Sequence, residues 1–175
     1  MPKIKKQTMQ QISQMSDISN FTTMKLLMYF REQKELKDMT KKLSNLVIEK
    51  QEKFFDVWMY QVNDDIQSLA MAFGERFFLQ HAYAAYEDQC VHNGAREILG
   101  KIINLHMITY LNDNMSWYLA NGLISRQAAK DLFSKQGAAV KNLVPHINEV
   151  IESFGLIQNP MVHSPIARDY IKYNS

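Results

Sequence analysis

Between Pro2 and Pro145 the chain contains no proline, and before Gly74 it contains no glycine. Proline lacks a backbone donor and glycine frees φ, so the two punctuate turns and strands. A long stretch without them is poor material for β-hairpins. It is good material for long helices where Met, Leu, Gln, Lys and Ala are plentiful. The fold class that follows is all-α, a helical bundle of four or five long helices with an extended C-terminal tail. With 46% apolar residues, 175 residues support one core and one domain.

The stretch Phe54–Asp88 is the strongest helical signal. Ile66, Leu69, Ala70, Phe73, Phe77 and Ala84 recur at steps of three, four and seven, which predicts one apolar helix face. Asp64, Gln67, Glu75 and Gln80 fall opposite and suit water. At 1.5 Å per residue, a helix of about 25 to 30 residues spans roughly 40 Å and can act as a spine. Gly74 inside it predicts a close contact with another helix.

Around this spine, Met24–Lys53 reads as a helix with a seam of Leu36, Met39, Leu43, Leu46, Lys50 and Phe54. Glu49 and Lys53 are spaced as an i,i+4 pair. After Asn93-Gly94, a third helix over Ala95–Ala120 presents Ile98, Leu99, Ile102, Ile103, His106, Tyr110 and Leu111. Asn121-Gly122 predicts a left-handed stop, and Ser125 the next N-cap. Ala128, Ala129, Leu132, Phe133 and Val140 continue the pattern. Pro145 marks a kink or a new start. Ile147, Val150, Ile151 and Phe154 close it, with Gly155-Leu156 as a Schellman ending and Pro160 and Pro165 in the tail. The division expected is a mobile polar tail at 1–23 and a helical domain at 24–175.

Chemical motifs are sparse. The five histidines, His81, His92, His106, His146 and His163, include no His-x-x-x-His pair, and no Glu stands three residues before a His. Zinc spacing, the di-iron pattern, Gly-rich phosphate loops and Gly-x-Ser-x-Gly are absent, so no metal site is expected. His106 reads as a core histidine with a hydrogen-bond partner. Trp58 and Trp117 read as packing anchors, and one carboxylate of Asp64-Asp65 as a cap or solvated group. Cys90 stands alone and reads as a small buried or half-buried thiol. A net charge of +2, with basic residues dispersed except at Lys3, Lys5 and Lys6, speaks against a nucleic-acid partner. No run of 18 apolar residues predicts a membrane span.

Five pieces carry more information in their order than in their spacing. They are LLMYFREQ from Leu26, DDIQSLAMAFGERFFLQ from Asp64, WYLANGLISRQAAK from Trp117, LVPHINEVIESFGL from Leu143 and SPIARDYIKYN from Ser164. In this order, over roughly Lys25 to Asn174, the chain resembles the C-terminal helical domain of the acyl-CoA oxidases, flavoenzymes of peroxisomal fatty-acid β-oxidation.

The resemblance implies a complete enzyme that oxidises acyl-CoA to trans-2-enoyl-CoA and passes electrons through FAD to O₂, giving H₂O₂. In the family, a β-domain and a helical domain with the catalytic glutamate and most FAD contacts are separate from this part. No catalytic residue is therefore assigned to Glu75, Glu87 or another acid, and no FAD is expected to bind this chain tightly by itself. A structural or dimerisation role is expected instead, and whether the chain alone is an enzyme stays open. The partners implied are a second copy or a full-length acyl-CoA oxidase subunit. The location implied is the peroxisome, although Tyr173-Asn174-Ser175 is not a Ser-Lys-Leu type address. Import bound to a partner, or a cytoplasmic location, follows from that ending. The alternative reading is a free-standing helical adaptor that binds a partner through Met24–Lys53, its eleven methionines supplying adaptable surface.

Overall fold

Asn20 sets the start of the first long helix, because its side chain accepts a hydrogen bond from the Thr23 amide at 2.9 Å. The computed structural model describes residues 12–15, 17–88, 92–155 and 171. Helix α1 runs Phe21–Ser44 and ends in a π-helical turn, Asn45–Glu49. A three-residue helix α2, Phe54–Asp56, passes into a second π-helical turn, Val57–Gln61. Helix α3 covers Asn63–Glu87 and α4 covers Asn93–Asp113. Helices α5, Met115–Ala120, and α6, Arg126–Leu143, follow. A 3₁₀ turn, Val144–His146, leads into α7, Ile147–Ser153. No strand occurs among the described residues.

The architecture is an all-α bundle. Helix α1 packs along α3, and α4 along α6, while α4 also touches α1 and α3 and joins the two pairs. Met24, Leu27, Met28, Leu79, Met107, Leu111, Tyr118 and Leu132 fill the main core. A smaller cluster of Leu46, Val57 and Val62 sits where the chain turns from α1 to α3. The punctuation foreseen in the sequence operates. Gly122 has φ 65° and Gly155 has φ 63°. Ser125 accepts from the Ala128 amide at 3.1 Å. Pro145 lies in the 3₁₀ turn between α6 and α7.

The helix expected over Met24–Lys53 differs at both ends. It starts at Phe21, and it gives way after Glu49 because Gln51 adopts a left-handed φ of 56°. This break separates Glu49 from Lys53, and Glu49 is bonded by the Asn45 amide instead. A β-carbon in this conformation costs about 1 kcal/mol. Gln51→Gly should therefore match or exceed the parent in urea denaturation, by up to about 1 kcal/mol. A clear loss of stability would show that the Gln51 side chain matters more than its backbone.

The helix expected over Ala95–Ala120 is two helices, since Asn114 interrupts it and bonds back to the Tyr110 carbonyl at 2.8 Å. Within the segment expected to be a polar tail, Ile12 and Ile18 are buried in the main core, so these two side chains hold that segment to the bundle. Asp17 adds an ion pair to Lys135 of α6 at 2.7 Å. Cys90, Leu156, Pro160, His163, Pro165 and the closing Ser164–Asn174 piece, apart from Ile171, fall outside the described residues.

Candidate functional site

The bundle is organised around a buried ionic layer. Helix α1 turns Met24, Leu27, Met28, Arg31, Glu32 and Glu35 inward, at helical steps of three and one. Helix α3 turns Ala72, Arg76 and Leu79 inward to meet them. Arg76 grips Glu32 with both arms of its guanidinium, Nε to Oε2 at 2.5 Å and Nη2 to Oε1 at 3.2 Å. Their side chains are only 5% and 7% exposed. Arg31 donates Nε to Glu35 at 2.7 Å and Nη1 to the Tyr110 hydroxyl at 3.1 Å. Ser68 donates to the second Glu35 oxygen at 3.1 Å, which draws α3 into the same network. A forked guanidinium suits such a site because it satisfies a carboxylate bidentately.

The electrostatics follow from that pairing. Hydrogen bonding to Glu32 strengthens the proton affinity of Arg76 beyond that of a free guanidinium, against the opposing effect of burial. Burial is the largest influence on Arg31 and works against its charge, but the bond to Glu35 together with the attraction of Tyr110, Glu35 and Tyr118 outweighs it. Burial also pushes the hydroxyl pKa of Tyr110 up, and that of Tyr118 well up. The two arginines and the two tyrosines therefore keep fixed ionisation states around neutrality. The layer is a structural lock.

The cost of turning charge inward is visible on the other side of α3. From Gln67 to Ala85 its exposed residues are Gln67, Ala70, Met71, Phe73, Gly74, Phe77, Phe78, Gln80, His81, Ala84 and Ala85. None carries a formal charge, because the two charged residues in this span, Glu75 and Arg76, are half-buried and buried. Met71 is 63% exposed, and Phe73, Phe77 and Phe78 about half. The face predicted to enter the core thus points largely outward. Gly74 lies within it, and a β-carbon there would meet nothing within 4 Å, so the close helix contact expected at Gly74 does not occur among the described residues. Exposed Phe54, Phe55, Met59 and Tyr60 continue the apolar character in the turn before α3. Monomeric proteins rarely leave a contiguous apolar surface of several hundred Å² uncovered.

Other residues singled out in the sequence occupy definite places. His106 is half-buried, pairs through Nε2 with Glu75 at 2.9 Å and meets Phe78 edge-on. Trp117 packs against the core, with the Arg31 guanidinium 5.7 Å from its ring. Trp58 is no core anchor; it stays exposed beside Phe54. Asp65 pairs with Lys42 at 2.6 Å, and Glu87 is exposed near the end of α3. Of the seam expected along Met24–Lys53 and Phe54, Leu46 is buried while Leu36, Lys50 and Phe54 are exposed. Groups of three or more His, Cys, Asp or Glu side chains placed to hold a metal do not occur among the described residues.

One cleft of about 530 Å³ opens between the start of α1, the end of α3 and α4. Phe21, Tyr83, Tyr86, Glu97, Gly100, Lys101 and Asn104 are among its walls. Phe21 stacks on Tyr83 at 4.2 Å between ring centres. A β-carbon at Gly100 would lie 3.0 Å from the Tyr86 ring, so a larger residue there would make the ring shift by a few tenths of an ångström.

The acyl-CoA oxidase family model matches residues 20–169. The chain belongs to the acyl-CoA oxidase family. Comparison with curated proteins and with solved structures gives no match. Acyl-CoA oxidases generally use FAD, whose two nucleotide halves are joined by a pyrophosphate. A pyrophosphate needs free cationic or amide donors. Lys101 in the cleft wall is already bonded to Glu97 and His146, and the Glu97 carboxylate would repel the phosphates. The cleft alone does not fit FAD. No described helix of this acyl-CoA oxidase family member is long and apolar enough to cross a membrane.

Proposed function

We propose that this chain is the C-terminal helical domain of a peroxisomal, FAD-dependent acyl-CoA oxidase, and that by itself it is an association module without oxidase activity. The observation that carries the reading is the uncharged outward face of α3. A helix that buries Arg76, half-buries Glu75 and exposes its Phe and Met is built to be covered on both sides. In the complete enzyme the reaction would convert acyl-CoA to trans-2-enoyl-CoA with release of H₂O₂, the flavin accepting the hydride. The role of this domain there is to hold the assembly, either against a second copy or against a full-length oxidase subunit.

The adaptor alternative has less support. Met24, Leu27 and Met28 are completely buried, so the first half of Met24–Lys53 is spent inside the bundle. An oxidase domain should retain full-length oxidase subunits in a pull-down and give no steady H₂O₂ from acyl-CoA and FAD when alone. Steady peroxide production by the purified chain would refute the non-catalytic part. Indifference to oxidase subunits, with retention of an unrelated protein, would favour the adaptor.

A further inference from the structure

The aromatic cleft has a lysine in its wall whose surroundings differ from those of other paired lysines. Lys34, Lys42 and Lys135 rest on carboxylates of Asp38, Asp65 and Asp17. Lys101 also meets a carboxylate, Glu97 at 2.8 Å, but its Nζ lies 2.7 Å from Nε2 of His146 as well. Nδ1 of the same imidazole lies 3.2 Å from Glu149 Oε2. The partners fix the tautomer. A carboxylate can only accept, so Nδ1 carries the hydrogen, and Nε2 presents its lone pair to the lysine. The line Glu149–His146–Lys101 therefore has the layout of an activated nucleophile, with a base in hydrogen-bond reach and a carboxylate orienting that base.

The fold supplies this arrangement from two places. Lys101 and Glu97 are one turn apart on α4, whereas His146 and Glu149 come from the 3₁₀ turn and α7. Pro145 lies in the turn that carries His146 to α4. The lysine side chain is 28% exposed and the imidazole 25%, so water is partly excluded while access remains open.

We infer that Lys101 is an acyl-acceptor site, modified at Nζ by acyl thioesters whose acyl end enters the cleft between Phe21, Tyr83 and Tyr86 while any phosphate groups stay outside it. Lys101 gives one ammonium proton to His146 Nε2, and Glu149 stabilises the resulting imidazolium. The free amine attacks the thioester carbonyl, forming the C–N bond. Collapse of the adduct breaks the C–S bond, and the thiolate leaves with the proton held by His146. The second nitrogen proton passes to water, leaving a neutral amide. An imidazole accepts a proton more readily than a carboxylate, which sets Lys101 apart from lysines paired only with acids. Glu97 opposes the step by holding the ammonium form.

The inference takes from the proposed function only the idea that thioesters are at hand. It is tested on the 175-residue chain with acetyl-CoA alone, without oxidase or flavin, so it can fail while the domain assignment stands, and the reverse. Peptide mass spectrometry gives an acetylation rate at each lysine, and each rate is divided by the median of the others. Lys101 should exceed that median by about tenfold or more. His146→Gln, which keeps an acceptor but cannot take the proton, should bring the ratio close to one. Glu97→Gln should raise it. Unchanged rates at the remaining lysines report an intact fold in each variant. A parent ratio within about twofold of the median, or a ratio that survives His146→Gln, would overturn the assignment.

Discussion

Replacing Arg76 by Leu should cost about 3–5 kcal/mol, because Glu32 then stays buried as a carboxylate without its partner. A domain of this size has about 5–15 kcal/mol in total, so the variant loses a large share of its stability. The side chains are 5% and 7% exposed, too dry for water to replace the guanidinium. Glu32→Leu should be damaging in the same way, through the orphaned cation. The double variant Glu32→Leu with Arg76→Leu should regain most of the loss, since an apolar pair of fair volume is often as stable as a buried ion pair. Urea denaturation followed by far-ultraviolet circular dichroism of the four proteins completes the cycle. A loss below about 1 kcal/mol for Arg76→Leu would mean that the ionic layer is solvated and not the lock described above.

A second large effect is expected on the opposite side of the same helix. Met71→Glu together with Phe77→Glu should abolish association while leaving helix content and unfolding midpoint nearly unchanged. Both side chains are exposed in the single chain, so the bundle gains little from them. In an interface, an apolar anchor contributes about 2 kcal/mol or more, so each substitution should weaken binding about 30-fold. Asn142→Glu, on α6, places a charge on an exposed position elsewhere and should have no such effect. Sedimentation velocity, with and without an oxidase subunit, separates self-association from hetero-association. Unchanged association in the α3 double variant would move the interface to another surface.

The two experiments examine the two faces of α3, and those faces explain where sequence reading succeeded and where it failed. The periodic signal over Ile66, Phe73, Phe77 and Ala84 correctly gave a helix of the right length and place. It gave the wrong orientation. A periodicity argument assigns apolar residues to the inside, because burial of apolar area is the usual source of stability. Here Arg76 occupies the inward side against Glu32, Glu75 turns half-buried toward His106, and the phenylalanines are displaced outward. The signal that could have revealed this was the pairing of positions, with Arg31, Glu32 and Glu35 in register with Met24, Leu27 and Met28. One helix cannot announce it, since charges look like a solvated face until their partners on another helix are known.

The punctuation is a local matter, and the sequence determined it. The absence of breakers gave an all-α chain, Gly122 and Gly155 ended helices through their positive φ, and Ser125 capped the next one. The ordered pieces also determined the family, which needs no coordinates. Tertiary structure alone decided the rest. It drew Ile12 and Ile18 into the core and brought His146 onto Lys101. The physical reason is range: φ preference and capping act within four residues, whereas the Arg76–Glu32 pair spans 44 residues and the Lys101–His146 contact spans 45.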